Sequence, residues 1–494
     1  MYYIGADLGT TGLKMILIDE TGRITASRTE KYPIAYPFQS WAEQEPTDWF
    51  NALVKGIRKL TKGIAPEAVK AIGIDGQMHG LVMLDSQDQV IRPAILWNDT
   101  RTTEEVTYLN DEIGKSKLSE LTGNIAFAGF TAPKIMWVRK NEPENFEKMK
   151  RVMLPKDYLN YMLTGILSSD YSDASGMLLL DVEKKQWSQE MMAICHITEA
   201  NLPKLYESYQ VVGTLKSDMA EKLGLGNHVK VVAGAGDNAA AAIGAGTVGD
   251  GRCNISIGTS GTVFVASKDF KEGKNHAVHN FAHADGTYHF LGCMLSAASC
   301  NDWWMEKILG TNDYSMEQNA IEDLGHNHLI YLPYLMGERS PHNDPNARGA
   351  FLGLSMGTTR QQMTQAVLEG VAFGLRDSLE VIREAGVVVT FATFCGGGAK
   401  SKLWQQMVAN ILGIEVGILD NEEGPALGSA ILAAVGDGLY ENVEEACQAI
   451  VTVKEVVKPD QEIVEKYNRL YQVYKNSYHA VKGLHDQLSS LAKG

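Results

Sequence analysis

The segment AGAGDNAAAAIGAG, residues 233–246, holds one carboxylate, Asp237, and one amide, Asn238, among glycines, alanines and a single isoleucine. Glycine and alanine let a ligand come close to the backbone, so a carboxylate placed there could take a proton from a reacting hydroxyl as a general base. The plainer reading is a helix cap. VKVVAGAG reads as a buried strand entering a turn, and Asp237 stands where an N-cap would open NAAAAIGAG. Near the start of the chain a second carboxylate, Asp7, precedes the tip Gly9-Thr10-Thr11-Gly12 of an apolar hairpin. Such a tip aims backbone N–H groups and the hydroxyls of Thr10 and Thr11 at one point, which suits a phosphate. A carboxylate beside a phosphate repels it unless a cation lies between them. Asp7 therefore points to Mg2+ held through water, the alternative being a turn-forming aspartate.

The hairpin has an echo. ISIGTSGTVFVAS, from Ile255, repeats the plan of IGADLGTTGLKMILID: apolar strand, Gly-Thr-[Thr/Ser]-Gly tip, apolar strand. One copy alone reads as an ordinary glycine-rich hairpin. Two copies in opposite halves suggest a duplicated fold whose halves face each other across the phosphates of a nucleotide. A third glycine cluster, CGGGAKSKLWQQ from Cys395, follows a strand and opens a helix, so it could pack against a base or ribose, or receive phosphate. IDGQMHG, residues 74–80, sets Met78 and His79 at a glycine-flanked strand end, where α/β proteins place ligands. A lone histidine there serves equally as a structural hydrogen-bonder. WNDTR, residues 97–101, suits a polyol or a polar surface loop. Two nucleotide motifs fail: IGKS at 113–116 has Leu109 where a P-loop needs glycine, and GAGDNA lacks the third glycine of a dinucleotide fingerprint.

Positioning such residues takes strands that end in small residues, and the chain supplies them. YYIGADLG, LKMILID, VKAIGIDG, VKVVAGAG, NISIGTSG, TVFVAS and VVVTFATFCGGG alternate with helical stretches, which predicts α/β architecture. The clearest helix follows Thr359, whose spacing to Gln362 fits a capping box, with Met363, Val367, Val371, Leu375, Leu379 and Ile382 as its apolar stripe. From Pro459 onward the tail is polar, helical in pattern and without evident chemistry. The 494 residues suffice for two or three domains. A net charge of −15 without a basic block argues against nucleic acid and against an anionic membrane surface as partners. No apolar run of ~18 residues and no signal-peptide start are present. Six scattered cysteines without a CxxC fit reduced, mostly buried thiols in a cytoplasmic protein.

Taken together the motifs resemble the FGGY family of carbohydrate kinases. GFTAPKIMWVRKN (129–141), with its Lys-x-x-Trp centre, and GAFLGLSMGTTRQQMTQAVLE (349–369) match the family's two signature stretches. GQMHG, RPAILWND, FTAPK, MLPKDYL, SDYSDASG, GDNAAAAIG, LSAASCNDW and LPYLMGERSPHNDPNARG resemble its xylulokinase subgroup. The resemblance implies an actin-like ATPase fold with two ribonuclease H-type domains around a central cleft, here 1–245 for sugar and 246–494 for nucleotide with a helical tail. It implies ATP and Mg2+ as cofactors and a sugar as the other small-molecule partner, with a homodimer as a candidate assembly. The catalytic base would fall on Asp237 and the magnesium-linked aspartate on Asp7. Sugar contacts would fall on Met78, His79, Asp237 and Asn238, and nucleotide contacts on Thr259, Trp303, Gly397, Gly398 and Ser401. The expected reaction is ATP-dependent phosphorylation of D-xylulose to D-xylulose 5-phosphate. D-Ribulose, another ketose, a polyol or gluconate are alternative substrates, and a non-catalytic actin-like sugar sensor is the alternative of a different class. One residue departs from the subgroup: position 75 is Asp where a small residue is usual, and a charge there is expected to lie beside the sugar.

Overall fold

The computed structural model describes residues 1–420 and 423–492. Two seven-stranded mixed sheets organise it. Along its main path the first runs Val211–Thr214, Lys230–Val232, Val69–Gly76, Tyr2–Leu8, Gly12–Asp19, Ile24–Lys31, and the short strand Ala235–Gly236 extends it beside Val69–Gly76. The second runs His279–Ala282, Tyr288–Met294, Gly261–Ser267, Cys253–Ile257, Phe391–Cys395, Glu415–Leu419, Val453–Val457.

The two sheets share one plan. In each, a hairpin strand pairs antiparallel with its partner and parallel with a later strand. Tyr2–Leu8 does so with Gly12–Asp19 and Val69–Gly76, and Cys253–Ile257 does so with Gly261–Ser267 and Phe391–Cys395. Each sheet then continues through one more parallel strand to an antiparallel edge. The repeated Gly-Thr-[Thr/Ser]-Gly hairpins are therefore equivalent elements of a duplicated α/β unit, as the sequence echo predicts.

Strand alternation gives the first sheet two apolar faces. One packs on the helices Pro46–Leu60 and Pro155–Thr164, the other on Asp237–Gly244 and Gly424–Asp437. The last contact is very close: a Cβ on Gly73 would stand 2.1 Å from the carbonyl oxygen of Ser429. A helix from late in the chain thus completes the core of the first sheet.

The helix Arg360–Glu384 forms with the predicted capping box, Thr359 N–H donating to Gln362 and Gln362 N–H to the Thr359 hydroxyl. It packs against the second sheet and against the tail, which is the helix Gln461–Ala492. Tyr467, Tyr471, Tyr474 and Tyr478 lie on one stripe of the tail and are buried. Their hydroxyls donate to Glu369, Asp377, the Gly370 carbonyl and Asp344. No disulfide forms among the described cysteines, and Cys195, Cys253, Cys300 and Cys447 are buried. Among the described residues no helix is long and apolar enough to cross a membrane.

Candidate active site

Parallel strands of the first sheet end side by side, and the candidate residues sit at those ends. Register places Asp7 opposite Asp75, and Gly76 opposite Gly236, so the Asp237 turn falls next to them. Asp7 also faces Lys14 across its hairpin. Gly236 is still extended and paired to Gly76, so helical geometry begins only at Asp237. This corrects the capping expectation: Gly236 holds the N-cap position and Asp237 is the first helical residue, making no side-chain cap. Instead Asp237 Oδ1 accepts from the backbone N–H of Asn238 at 2.7 Å and from its side-chain amide at 2.9 Å.

A cleft of about 540 Å3 opens in front of these ends. Met78, His79, Asp237 and Asn238 line it from the first half and Thr259 from the tip of the second hairpin. Five of the candidate residues therefore meet in one cavity. Burial and the charge of Asp7 raise the Asp237 carboxyl to about 7. Burial also raises Asp7, to about 6, against the lowering effect of Asp75 and Lys14.

His79 has a left-handed backbone, φ 70°. Its carbonyl accepts from Thr131 at 3.1 Å and from the buried Lys134 Nζ at 2.8 Å, which explains the lysine of the first signature stretch. Its Nδ1 lies 2.7 Å from the Gly176 carbonyl. A carbonyl only accepts, so Nδ1 carries the hydrogen and Nε2 is left as an acceptor. Burial and the Lys134 charge depress this imidazole to about 3, so it is neutral.

The segments MLPKDYL and SDYSDASG support the same turn from behind. Gly236 N–H donates to Ser172 Oγ at 3.1 Å, Ser172 Oγ to Asp170 Oδ2 at 2.5 Å, and Asp170 pairs with the buried Lys156 at 2.9 Å.

Asp75 is not among the residues that line the cleft, whereas the sequence reading expects its charge to lie beside the sugar. It is fully buried, accepts from Ser429 at 2.6 Å and takes no part in the cleft lining. Strand alternation turns it to the face covered by the helix Gly424–Asp437. Burial and the nearby Asp7 push its carboxyl well above the usual range. In WNDTR, Trp97 lines the cleft and donates to Thr10 Oγ1 at 3.0 Å. Asp99 and Arg101 are paired to each other by two hydrogen bonds, 2.9 and 2.6 Å.

Thr10 and Thr11 form the tip of the first hairpin, adjoining the cleft through Trp97. Trp303, Gly397, Gly398 and Ser401 do not line the cleft. Gly398 packs on Ile257 at the foot of the second hairpin, and Trp303 extends a helix whose first residues bond to Gly258 and Thr259. Ser401 caps the helix Lys402–Leu412 through Trp404 N–H at 3.1 Å and donates to Gln318 at 2.6 Å.

The sequence reading missed an aromatic wall and a cation. Phe127, Phe130, His279 and Phe281 line the cleft with ring centroids 5.0 to 6.4 Å apart. Arg339 lines it too, and its guanidinium stands 5.5 Å over Phe127. Phe130 lies within GFTAPK, Phe127 just before it and Arg339 within GERSP, whereas no such segment flags His279 or Phe281.

Residues 2–244 match the N-terminal domain model of the FGGY family of carbohydrate kinases, and residues 253–436 match its C-terminal domain model. A xylulose kinase from Bacillus subtilis is 38% identical over 497 aligned residues, covering 100% of this chain and 99% of that protein. The crystal structure of a xyloylose kinase from Brucella ovis superposes with a TM-score of 0.93 at 38% identity, covering 98% of this chain and 100% of that one. A gluconate kinase from Lactobacillus acidophilus also gives 0.93, at 27% identity and 99% coverage of both chains. The fold is the two-domain actin-like ATPase fold. This chain belongs to the FGGY family of carbohydrate kinases.

Proposed function

We propose that the chain transfers the γ-phosphoryl group of ATP to D-xylulose, giving D-xylulose 5-phosphate, with Asp237 as the base. The carrying observation is Asp237 itself. Its carboxylate stands in the cleft wall with Oδ1 fixed by Asn238, and its pKa of about 7 lets it hold a proton near neutrality. His79 Nε2 accepts from a sugar hydroxyl, and the aromatic wall packs on the sugar's C–H faces. The Thr259 and Thr10–Thr11 hairpin tips receive phosphate oxygens, while Gly397, Gly398, Trp303 and Ser401 border the nucleotide. The division 1–245 for sugar and 246–494 for nucleotide follows from that assignment. We place the enzyme in the cytoplasm because its six scattered cysteines form no disulfide pattern.

Mg2+ is held through one or two carboxylates plus water and substrate phosphates. Asp7 fits that role: it is a strand-end carboxylate raised by burial, next to a hairpin tip of glycine and threonine. The bound ion would neutralise phosphate charge.

A second reading, an acidic sugar such as gluconate, is favoured by the Arg339 cation in the cleft and by the likeness to a gluconate kinase. ADP release measured across ketoses, polyols and gluconate decides between them. Turnover confined to gluconate would sink the xylulose assignment and keep the family. No turnover with any of them would favour a non-catalytic sensor.

A further inference from the structure

Among the described residues Arg339 is the sole lysine or arginine lining the cleft, where His79 and His279 are both held neutral by burial. No carboxylate pairs with its guanidinium among the described residues. Its neighbour Glu338 accepts instead from the backbone N–H groups of Leu295 and Arg339, at 2.9 and 2.8 Å. The next residue, Ser340, donates its N–H to the Cys293 carbonyl at 2.9 Å. Cys293 in turn sits opposite Thr262, one residue beyond the Gly258–Gly261 tip. The Arg339 backbone is therefore clamped beside the second hairpin, while its cationic end meets the Cys293 sulfur and the Phe127 ring in the cleft that Asp237 also lines, with no carboxylate against it among the described residues.

A thiol and a ring leave the guanidinium's charge without a counter-ion, so an anion entering the cleft finds a ready partner there. A neutral ketose brings none, but phosphoryl transfer does: charge spreads over the three equatorial oxygens of the moving group, and catalysis there consists largely of positioning and neutralising it. A planar fork of N–H donors matches two such oxygens. We propose that Arg339 is a further catalytic residue, gripping the phosphoryl group as it passes to the sugar; this rests on the sugar-kinase reading above. In that step the sugar oxygen forms the new P–O bond and its proton goes to Asp237. The bond from the γ-phosphorus to the β–γ bridging oxygen breaks, and its electron pair leaves on ADP. Anionic oxygens could also come from the carboxylate of a sugar acid, so the test separates the two sources.

Arg339→Met and Arg339→Lys are assayed for ADP release with D-xylulose and with gluconate, alongside inhibition by D-xylulose 5-phosphate. With Arg339→Met, kcat for the ketose should fall about 10²–10³-fold while its KM moves less than about threefold. Inhibition by the sugar phosphate should weaken about tenfold or more, added guanidinium should restore part of kcat, and Arg339→Lys should fall between. An unchanged kcat, or a rise confined to the ketose KM, would overturn the proposal. A loss confined to gluconate would overturn it too, by placing a carboxylate against Arg339. If Arg339→Met does not fold, Arg339→Lys with the same inhibition measurement decides. Inactivity of the unmodified enzyme toward ketoses would refute the substrate reading instead, so the two failures are distinct.

Discussion

Ser429 donates a 2.6 Å hydrogen bond to Asp75 Oδ2, linking residues 354 positions apart and fixing a late helix to the strand that ends beside Asp7. The other oxygen, Oδ1, is buried without a partner. Ser429→Ala removes the donor to Oδ2 and should cost about 1–3 kcal/mol of unfolding free energy. Urea denaturation of the variant tests this, and a midpoint equal to that of the parent would mean the bond contributes nothing.

Asp237→Asn keeps shape and cannot accept a proton, so kcat should fall about 10²–10⁴-fold in a folded protein. In the parent, kcat/KM for the sugar should decline as pH drops below about 7, because protonated Asp237 is no base and its carboxyl is raised to about 7. That acid limb should be missing from the variant. Asp7→Asn should instead show weakened dependence on Mg2+ concentration. Near-normal turnover by folded Asp237→Asn would end the base assignment.

His79→Ala removes from the cleft wall the acceptor proposed for a sugar hydroxyl. The sugar KM should rise about tenfold or more, with the ATP KM close to its original value. Initial-rate kinetics with each substrate varied in turn would expose the opposite pattern, which would put His79 on the nucleotide side.

Glu369 is buried under the tail helix, where it accepts from Tyr467 at 2.7 Å and from Gln365 at 2.7 Å. Burial raises its carboxyl from 4.5 to about 7. A carboxyl raised in this way binds its proton more tightly in the folded than in the unfolded protein. It carries no penalty below the unfolded value and destabilises progressively as pH rises through the folded one. Relative to the parent, Glu369→Gln should therefore gain stability between about pH 5 and pH 8, by on the order of 3 kcal/mol. Melting curves at several pH values check the slope, and a gain independent of pH would show that Glu369 does not titrate in this range.

Local chemistry was readable in the sequence, and packing across long separations was not. Both Gly-Thr-[Thr/Ser]-Gly hairpins formed as read, because turn residues and strand alternation act within a few positions. The strand ends then brought Met78, His79, Asp237 and Asn238 together with Thr259. Which face Asp75 takes depends on Ser429, far along the chain, so its charge could be seen but its surroundings could not. Arg339 stands inside the segment LPYLMGERSPHNDPNARG, but that it faces the cleft depends on bonds from its neighbours Glu338 and Ser340 to Leu295 and Cys293, far back in the chain. The tail looked polar because its buried tyrosines, from Tyr467 to Tyr478, carry hydroxyls. Their worth appears only with Glu369 and Asp377 opposite.

The late arrival of the helix Gly424–Asp437 also bears on how the protein is made. One face of the first sheet waits for that helix, which begins 180 residues after Gly244 ends the preceding element of the same core. At ~5–20 residues per second on the ribosome, the gap lasts about 10–40 s. During that time Ile16, Ile18, Ala71 and Val232 lack the partner that covers them in the finished molecule. The nascent chain then presents an apolar sheet surface long before the second half exists, which is the kind of surface chaperones bind. A fragment ending at residue 245 should accordingly aggregate when expressed alone, and supplying the segment from residue 246 onward in trans should rescue it.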